Sequence, residues 1–495
     1  MGLSQLPYVD IQTLNSGVTG SLHLCVAKIP YDYSDVKTIR FIVDCGLFQE
    51  RVPKKSEEDT DDLEKENIND ILNANLPFNA RDLDFALITH NHIDHIGRIP
   101  LLYRRGYDNK VYVSSPTKEI ISYALNDSCK VLRDTAKRRH SPALYNDTDV
   151  NLAMLNIYGV TYVKSFYPVP NVKVTFFKNG HLVGAAIILV QIELPGTRKT
   201  INLLFTGDYN NKNMFFTVPD LPQWVYDLPV TIVQESTYGD MNSTDIVECF
   251  EENLVRGLYA NKSIVIPAFS LGRYQEILYF LKTMQQRHRL DPSIPIYADG
   301  KLAAIYTNMF LHNPALELDE GMMDFLPEND SFVSDSNQRS AIINDNNSKI
   351  ILTTSGMGSY GPAQEYISKL ISNPNAMIHF TGYTAEGTLG RRLKDAEIGE
   401  PVQVGSLLKI KRAAVMYTTE FSAHAKADEM ISFLNRFSHI NFIDVVHGEP
   451  EVKTKFASRI LREVNNVKEV GIGNRDTFFR INPYGCAKSL NTHFQ

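Results

Sequence analysis

Within residues 87–97 the chain reads Leu-Ile-Thr-His-Asn-His-Ile-Asp-His-Ile-Gly, so His90, His92, Asp94 and His95 fall inside six positions. Imidazole nitrogens combined with a carboxylate oxygen form a donor set that suits zinc. The chain holds only 13 histidines in 495 residues, which makes a chance cluster on a surface loop the weaker reading. Other residues of the same chemical types stand where apolar runs end. His181 follows Asn179-Gly180, Asp208 follows Thr206-Gly207, and His447 follows the run 441–446. His90, His92 and His181 can serve one ion and Asp94, His95 and His447 a second, with Asp208 between them and an open position left for water. Two metals roughly 3.5–4 Å apart would clamp the attacking and leaving oxygens of a phosphoryl displacement. Asp44 ends the run 38–43. It reads either as a strand cap or as the carboxylate that holds the far nitrogen of a metal-bound imidazole.

These side chains need elements that aim them at one point. The run 85–88 reads as a buried strand and 99–102 as the start of a helix, which predicts the ligands on the loop between. A short loop can converge several imidazoles, whereas a strand would send alternate side chains to opposite faces. The same sequence of apolar strand and polar exit recurs at 200–205 and 230–233, where Glu235 follows. One edge of a sheet can thus collect a site from distant parts of the chain. Residues 115–155 read as mostly helical, with Arg133, Lys137, Arg138 and Arg139 on a solvated face in preference to a phosphate-contacting one.

From about Asp245 the rhythm changes. Strands at 263–267, 294–298, 349–353 and 376–380 alternate with helices at 272–286, 302–311 and 363–371, which predicts a parallel sheet with helices on its faces. Residues 313–347 read as less regular. After Arg392 the strand-rich rhythm returns, with strands at 411–417 and 441–446 and an amphipathic helix at 428–437. The expected organisation is a metal-binding lobe over 1–240, an inserted parallel α/β lobe over 241–386, and the first lobe resumed over 387–495. Gly356 to Gly361 satisfies Gly-x-Gly-x-x-Gly but lacks the surrounding dinucleotide-binding unit. It reads as a tight strand-to-helix turn, and the alternative is that Ser355, Gly356 and Arg273 hold a phosphate at a helix N-terminus.

Composition adds limits. No apolar stretch approaches the length of a membrane span, and the N-terminus lacks the parts of a signal peptide. Five scattered cysteines without ligand spacing point to reduced thiols and a cytoplasmic location. The formal net charge of −7 gives no support to a nucleic-acid partner and does not exclude a local basic cleft. Residues 57–66 hold seven acids and one lysine, so the acidity is concentrated in what reads as a mobile loop.

In this order the motifs resemble the metallo-β-lactamase superfamily. Asp44, the cluster from His90 to His95, His181 and Asp208 match its first four motifs. Glu235 in Glu-Ser-Thr-Tyr-Gly, His424 in Phe-Ser-Ala-His and His447 in Val-His-Gly-Glu match the further motifs of its β-CASP nuclease branch. The look is nearest to the bacterial and archaeal relatives of the pre-mRNA 3′-end cleavage endonuclease. The resemblance implies a four-layer αββα sandwich with an inserted parallel α/β (β-CASP) domain and two zinc ions. It implies a ribonuclease that leaves a 5′-phosphate and a 3′-hydroxyl, with single-stranded RNA as the expected substrate. His424 would be the general acid, Glu235 would orient it, and Asp94 would join the catalytic set. Taken alone, His424 also reads as a capping or core histidine and Glu235 as a structural acid. No KH domain fits before Tyr8, so further RNA-binding surface is expected from the core lobes or a partner, with a homodimer as one assembly open to the chain. A small-molecule hydrolase, a non-catalytic binding subunit and a DNA nuclease remain the rival readings.

Overall fold

The computed structural model describes residues 7–14, 17–30, 35–49, 69–197, 199–247, 249–382, 384, 387–475, 477–483, 485 and 488–490. The acidic run 57–66 and one of the five cysteines, Cys486, lie outside them. The chain divides into two compact units. One comprises Met1–Asn213, Thr217–Ser243 and His424–Gln495, and the other Met214–Phe216 and Thr244–Ala423.

The first unit is built on two sheets. One has eight strands, in the order 488–490, Phe478–Ile481, Tyr8–Thr13, His23–Pro30, Val36–Val43, Phe85–Leu87, Val111–Ser114 and Ile157–Val160. The other has seven, in the order Val470–Ile472, His439–Val446, Pro229–Glu235, Thr200–Phe205, Ala186–Glu193, Val172–Lys178 and Phe166–Val169. Alternate apolar residues of both sheets, such as Phe41, Val43 and Phe85 from one and Ile188, Leu203 and Val233 from the other, form a shared core. The opposite face of the eight-stranded sheet packs on helices through Ile42, Ala86, Leu102, Ile121 and Val150. The opposite face of the seven-stranded sheet packs on helices through Ile232, Ile443, Met430, Leu434 and Ile460. Three cores between four layers make this an αββα sandwich. Here burial of alternate side chains on two-faced strands, about 25 cal/mol per Å² of apolar surface removed from water, dominates the stabilisation.

Strand direction decides where the polar exits fall. Val36–Val43 and Phe85–Leu87 are parallel neighbours, so Asp44 and the ligand cluster emerge side by side. In the other sheet Thr200–Phe205, Pro229–Glu235 and His439–Val446 are mutually parallel. Val172–Lys178 is antiparallel to Ala186–Glu193, which is antiparallel to Thr200–Phe205, so it runs the same way as these three. His181, Asp208, Glu235 and His447 therefore leave along one edge.

The ligand cluster is less loop-like than the sequence suggests. His90 and His92 do lie on the loop, but Asp94 and His95 belong to the one-turn helix Ile93–Ile96. The strand exit at 44–47 clasps that turn: Cys45 N donates to His95 O, Leu47 N to Ile93 O, and Ser21 N to Asp94 O. Apolar periodicity cannot reveal a single helical turn held by backbone partners from elsewhere in the chain.

The second unit carries a six-stranded parallel sheet in the order Asp330–Phe332, Ile296–Asp299, Lys349–Thr353, Ser263–Pro267, Ala376–Phe380 and Ala414–Tyr417. Its helices include Phe250–Tyr259, Arg273–Gln286, Lys301–His312 and Gly361–Leu370. Two expectations need correction here. The stretch 313–347 contains the helix Ser336–Asn344, whose N-cap Asp335 accepts from Asn337 N and Gln338 N; its polar composition hides a periodic face. The return to the first unit comes at His424 and not at 387, because Ala414–Tyr417 pairs with Ala376–Phe380 and a hairpin of Pro401–Val404 and Leu407–Ile410 precedes it.

A Cβ on Gly46 would occupy the place of Asp94's carbonyl group. The Gly46→Ala protein should therefore displace the ligand-bearing turn, at a cost of at least about 1–3 kcal/mol. Thermal unfolding and elemental analysis should show a lower Tm together with reduced metal content.

Candidate metal centre

Two groups of donors converge at that edge. His90, His92, His181 and Asp208 form one, and Asp94, His95 and His447 the other. In the first, His92 Nδ1 lies 3.2 Å from His90 Nε2 and 3.1 Å from His181 Nε2. Asp208 Oδ2 lies 3.5 Å from both His90 Nε2 and His181 Nε2. In the second, His95 Nε2 and His447 Nε2 are each 3.8 Å from Asp94 Oδ2. Asp208 Oδ1 faces this group at 3.3 Å from His95 Nε2 and 3.4 Å from His447 Nε2. Ligand atoms about 2.0–2.1 Å from one tetrahedral ion stand about 3.3 Å apart, so separations of this size suit donors to a metal ion, with Asp208 facing both groups. Neither Asp208 Oδ1 nor His447 Nε2, both buried, has a hydrogen-bond partner. A buried carboxylate oxygen left in that state is costly unless a cation faces it. The donor set is of a kind that could hold metal.

Neighbouring side chains choose which nitrogen each histidine presents. Asp44 Oδ2 accepts from His95 Nδ1 at 2.7 Å, leaving Nε2 for an ion. Asp44 also accepts from Thr89 N and Thr89 Oγ1. With its proton given to Asp44, Thr89 Oγ1 accepts from His90 Nδ1 at 3.1 Å and turns His90 Nε2 to the centre. Thr237 Oγ1 does the same for His447 Nδ1 at 3.0 Å. Asn179 ties two ligand loops together: its Nδ2 donates to Thr206 O and Asp208 O, and its Oδ1 accepts from His181 N and Asn210 N. Thr89, Thr237 and Asn179 are the functional residues that sequence reasoning missed. The only signal for them is adjacency to a ligand, and threonine or asparagine beside a strand exit is too common to single out. Asp44 and His447 both adopt positive φ, 62° and 48°. For a histidine that conformation is uncommon outside sites where the surroundings enforce it.

Electrostatics in the ion-free centre follow from burial and from Asp208. Burial, with His95 nearby, pushes His90 well below the usual histidine range, and burial pulls His92 down to about 4. For His95, burial also lowers the pKa, but the Asp208 and Asp44 carboxylates outweigh it and hold it well above normal. His447 is raised to about 9, burial being overcome by the carboxylates of Asp208 and Asp94. Asp208 is itself held well below the usual carboxylate range, the histidines around it overcoming burial. The Asp208 carboxylate thus favours positive charge on the side of His95 and His447.

His424 and Glu235 stand beside the donors. His424 Nδ1 donates to Glu235 Oε1 at 2.9 Å and Oε2 at 3.1 Å, and its Nε2 lies 4.0 Å from Asp208 Oδ2. Glu235 is fixed by Tyr209 N and Thr237 N. His424 is 18% exposed and Glu235 1%, so the imidazole is open to a reactant while its anchor is not. The other proposed contacts lie in the second unit. Arg273 is buried, paired with Glu276 and donating to Thr381 O, which accounts for its charge without a phosphate. Ser355 and Gly356 form the turn ahead of Gly361–Leu370, with Gly358 N donating to Ser355 O. Arg133 and Arg139 pair with Asp147 and Asp70 on an exposed face, as a solvated helix would.

A donor set of this kind at one edge of an αββα sandwich defines a metal-binding protein of the metallo-hydrolase class. Three family models match in succession: the metallo-beta-lactamase superfamily over residues 37–168, the Beta-Casp domain over 274–393, and the Zn-dependent metallo-hydrolase RNA specificity domain over 409–470. The chain thus carries, in order, the domains of the β-CASP branch of the metallo-β-lactamase superfamily. It is 28% identical over 448 residues to ribonuclease TTHA0252 of Thermus thermophilus, covering 88% of this chain and 91% of that one. It is 29% identical over 405 residues to the transcription termination factor FttA of Methanocaldococcus jannaschii, covering 78% of this chain and 61% of that one. The match to the same factor from Pyrococcus abyssi is 29% over 404 residues, covering 77% and 60%. The chain thus spans about three fifths of the length of these termination factors.

Two outcomes follow. Asp44→Asn cannot accept all three hydrogen bonds as a carboxylate does, and it should lower metal affinity about 10–100-fold, read by competition with a chelator. Metal uptake by the ion-free protein must displace the protons of His95 and His447. It should therefore release protons at pH 7 and tighten as pH rises toward about 9, read by calorimetry in buffers of different ionisation enthalpy.

Proposed function

We propose that the chain is a zinc-dependent ribonuclease that holds two zinc ions and hydrolyses RNA phosphodiester bonds, leaving a 5′-phosphate and a 3′-hydroxyl. The observation that carries this reading is the His424–Glu235 pair set against the shared carboxylate of a two-group metal centre. A site for simple hydrolysis of a small ester needs the ligands. It does not need a second, anchored imidazole beside them.

His90, His92, His181 and Asp208 would hold one zinc, and Asp94, His95, His447 and Asp208 the other. Bound there, the ions supply Lewis acidity toward phosphate oxygens and a nucleophile at neutral pH. The chain's own residues do the rest. Asp44 and Thr89 fix the imidazoles, which limits reorganisation during the reaction. Glu235 holds the Nδ1 side of His424, so Nε2 is the atom that can deliver a proton to the leaving 3′-oxygen. RNA as substrate is supported by the RNA specificity model over 409–470, which contains both His424 and His447, and by the ribonuclease relative of similar length. No helix among the described residues is long and apolar enough to cross a membrane. The four described cysteines, Cys25, Cys45, Cys129 and Cys249, are free, which suits a reducing, cytoplasmic setting.

Purified protein loaded with zinc should cut single-stranded RNA faster than DNA of the same sequence; equal or faster cutting of DNA would overturn the substrate assignment. His424→Ala should keep its metal and lose on the order of 10²–10⁴ in rate. The loss should shrink on a substrate whose leaving group needs no proton. An equal loss on both substrates would remove His424 from the acid role.

A further inference from the structure

Two residues beyond His424 the chain places a lysine where local rules disfavour one. Lys426 is the N-cap of the helix Ala427–Leu434, and its side chain makes no capping hydrogen bond. N-caps favour Ser, Thr, Asp or Asn, whose oxygens satisfy helix amides. The positive end of the helix dipole also opposes a cation there. Lys426 is in addition 1% exposed, and burial of an ammonium is unfavourable. A contact with an aromatic ring helps to hold the ammonium there. Its Nζ lies 3.4 Å from the centroid of the Tyr238 ring, within cation–π range.

Tyr238 in turn meets the catalytic imidazole. Its ring is 6.1 Å from that of His424 and edge-on to it at 74°. It is 4% exposed and belongs to the Glu235–Gly239 segment that also supplies the anchor of His424. The backbone between His424 and the helix is tied down separately, with Ala425 N donating to Tyr209 O and Ala427 N to Met241 O. The loop therefore does not depend on the Lys426 side chain for its path.

From this geometry we infer that Lys426 is a positioning residue: its buried ammonium pins the Tyr238 ring, and the ring walls His424 into the orientation in which Nδ1 faces Glu235. The hydrogen bonds to Glu235 fix one atom of the imidazole, the His181 ring stands 4.7 Å from it between centroids, and the Tyr238 ring adds a further wall against rotation of the imidazole. The effect on turnover rests on the ribonuclease reading given above; the effect on the ring does not.

The test compares Lys426→Met, which keeps the chain length and removes the charge, with Lys426→Arg, which keeps a cation able to stack on an aromatic ring. If Lys426 were only a structural filler, methionine would match or exceed it, since it removes a buried charge. We expect Lys426→Met to be at least as stable as the wild type in thermal unfolding and to bind the same amount of zinc. Its kcat on single-stranded RNA should fall ten- to a hundredfold, as for a misplaced catalytic group, with KM little changed. Lys426→Arg should recover most of that loss. In the zinc-loaded protein, nuclear magnetic resonance of ¹⁵N-labelled histidine should show the His424 Nδ1 proton as slowly exchanging in the wild type and exchange-broadened in Lys426→Met. A Lys426→Met protein with wild-type kcat and an unchanged Nδ1 proton signal would overturn the inference. A wild type inactive on RNA whose Nδ1 signal still broadens in Lys426→Met would overturn the ribonuclease reading and leave the positioning role standing.

Discussion

A single carboxylate, Asp208, has its two oxygens turned toward two sets of imidazoles, and the first unit is arranged to keep it there. Packing so many polar groups out of water is unfavourable unless each is matched. The matches are made by geometry that begins in strand direction. Parallel neighbours bring Asp44 beside the His90–His95 segment, and four like-directed strands bring His181, Asp208, Glu235 and His447 to the same edge. Local hydrogen bonds then set which atom of each ring points inward.

Three buried acids show how environment divides labour among chemically equal groups. Asp208 presents its oxygens to the ligand nitrogens. Asp44, also buried, has its oxygens taken by Thr89 and His95 and acts only through them. Glu235 holds His424 and two backbone amides. A histidine centre of this kind depends as much on the acceptors behind the rings as on the rings themselves.

Much of this was legible in the sequence, and the limits have physical causes. Ligand candidates could be read because imidazoles and acids at strand exits are conspicuous against apolar runs, and strand exits survive errors in strand length. Thr89, Thr237 and Asn179 could not, since their role exists only once chain segments far apart are adjacent. The one-turn helix carrying Asp94 and His95 is stabilised by backbone groups at Ser21, Cys45 and Leu47, a cause absent from its own four residues. The return to the first unit at His424 is hidden because the strands that follow Arg392 belong to the second unit while resembling the strand-rich first one. Only the pairing of Ala414–Tyr417 with Ala376–Phe380 assigns the intervening stretch.

The order of the donors along the chain has a consequence for synthesis. His90, His92, Asp94, His95, His181 and Asp208 are made before the second unit, whereas His424 and His447 follow it. Sequential emergence from the ribosome therefore yields first a half-built centre with one complete set of donors and neither the closing ligand of the other nor the anchored imidazole. The strand His439–Val446 must insert beside Pro229–Glu235 to deliver them, across a separation of 210 residues from Thr237 to His447, which carries a closure entropy cost. The donor set of the first unit is thus complete only after the whole α/β unit has been made.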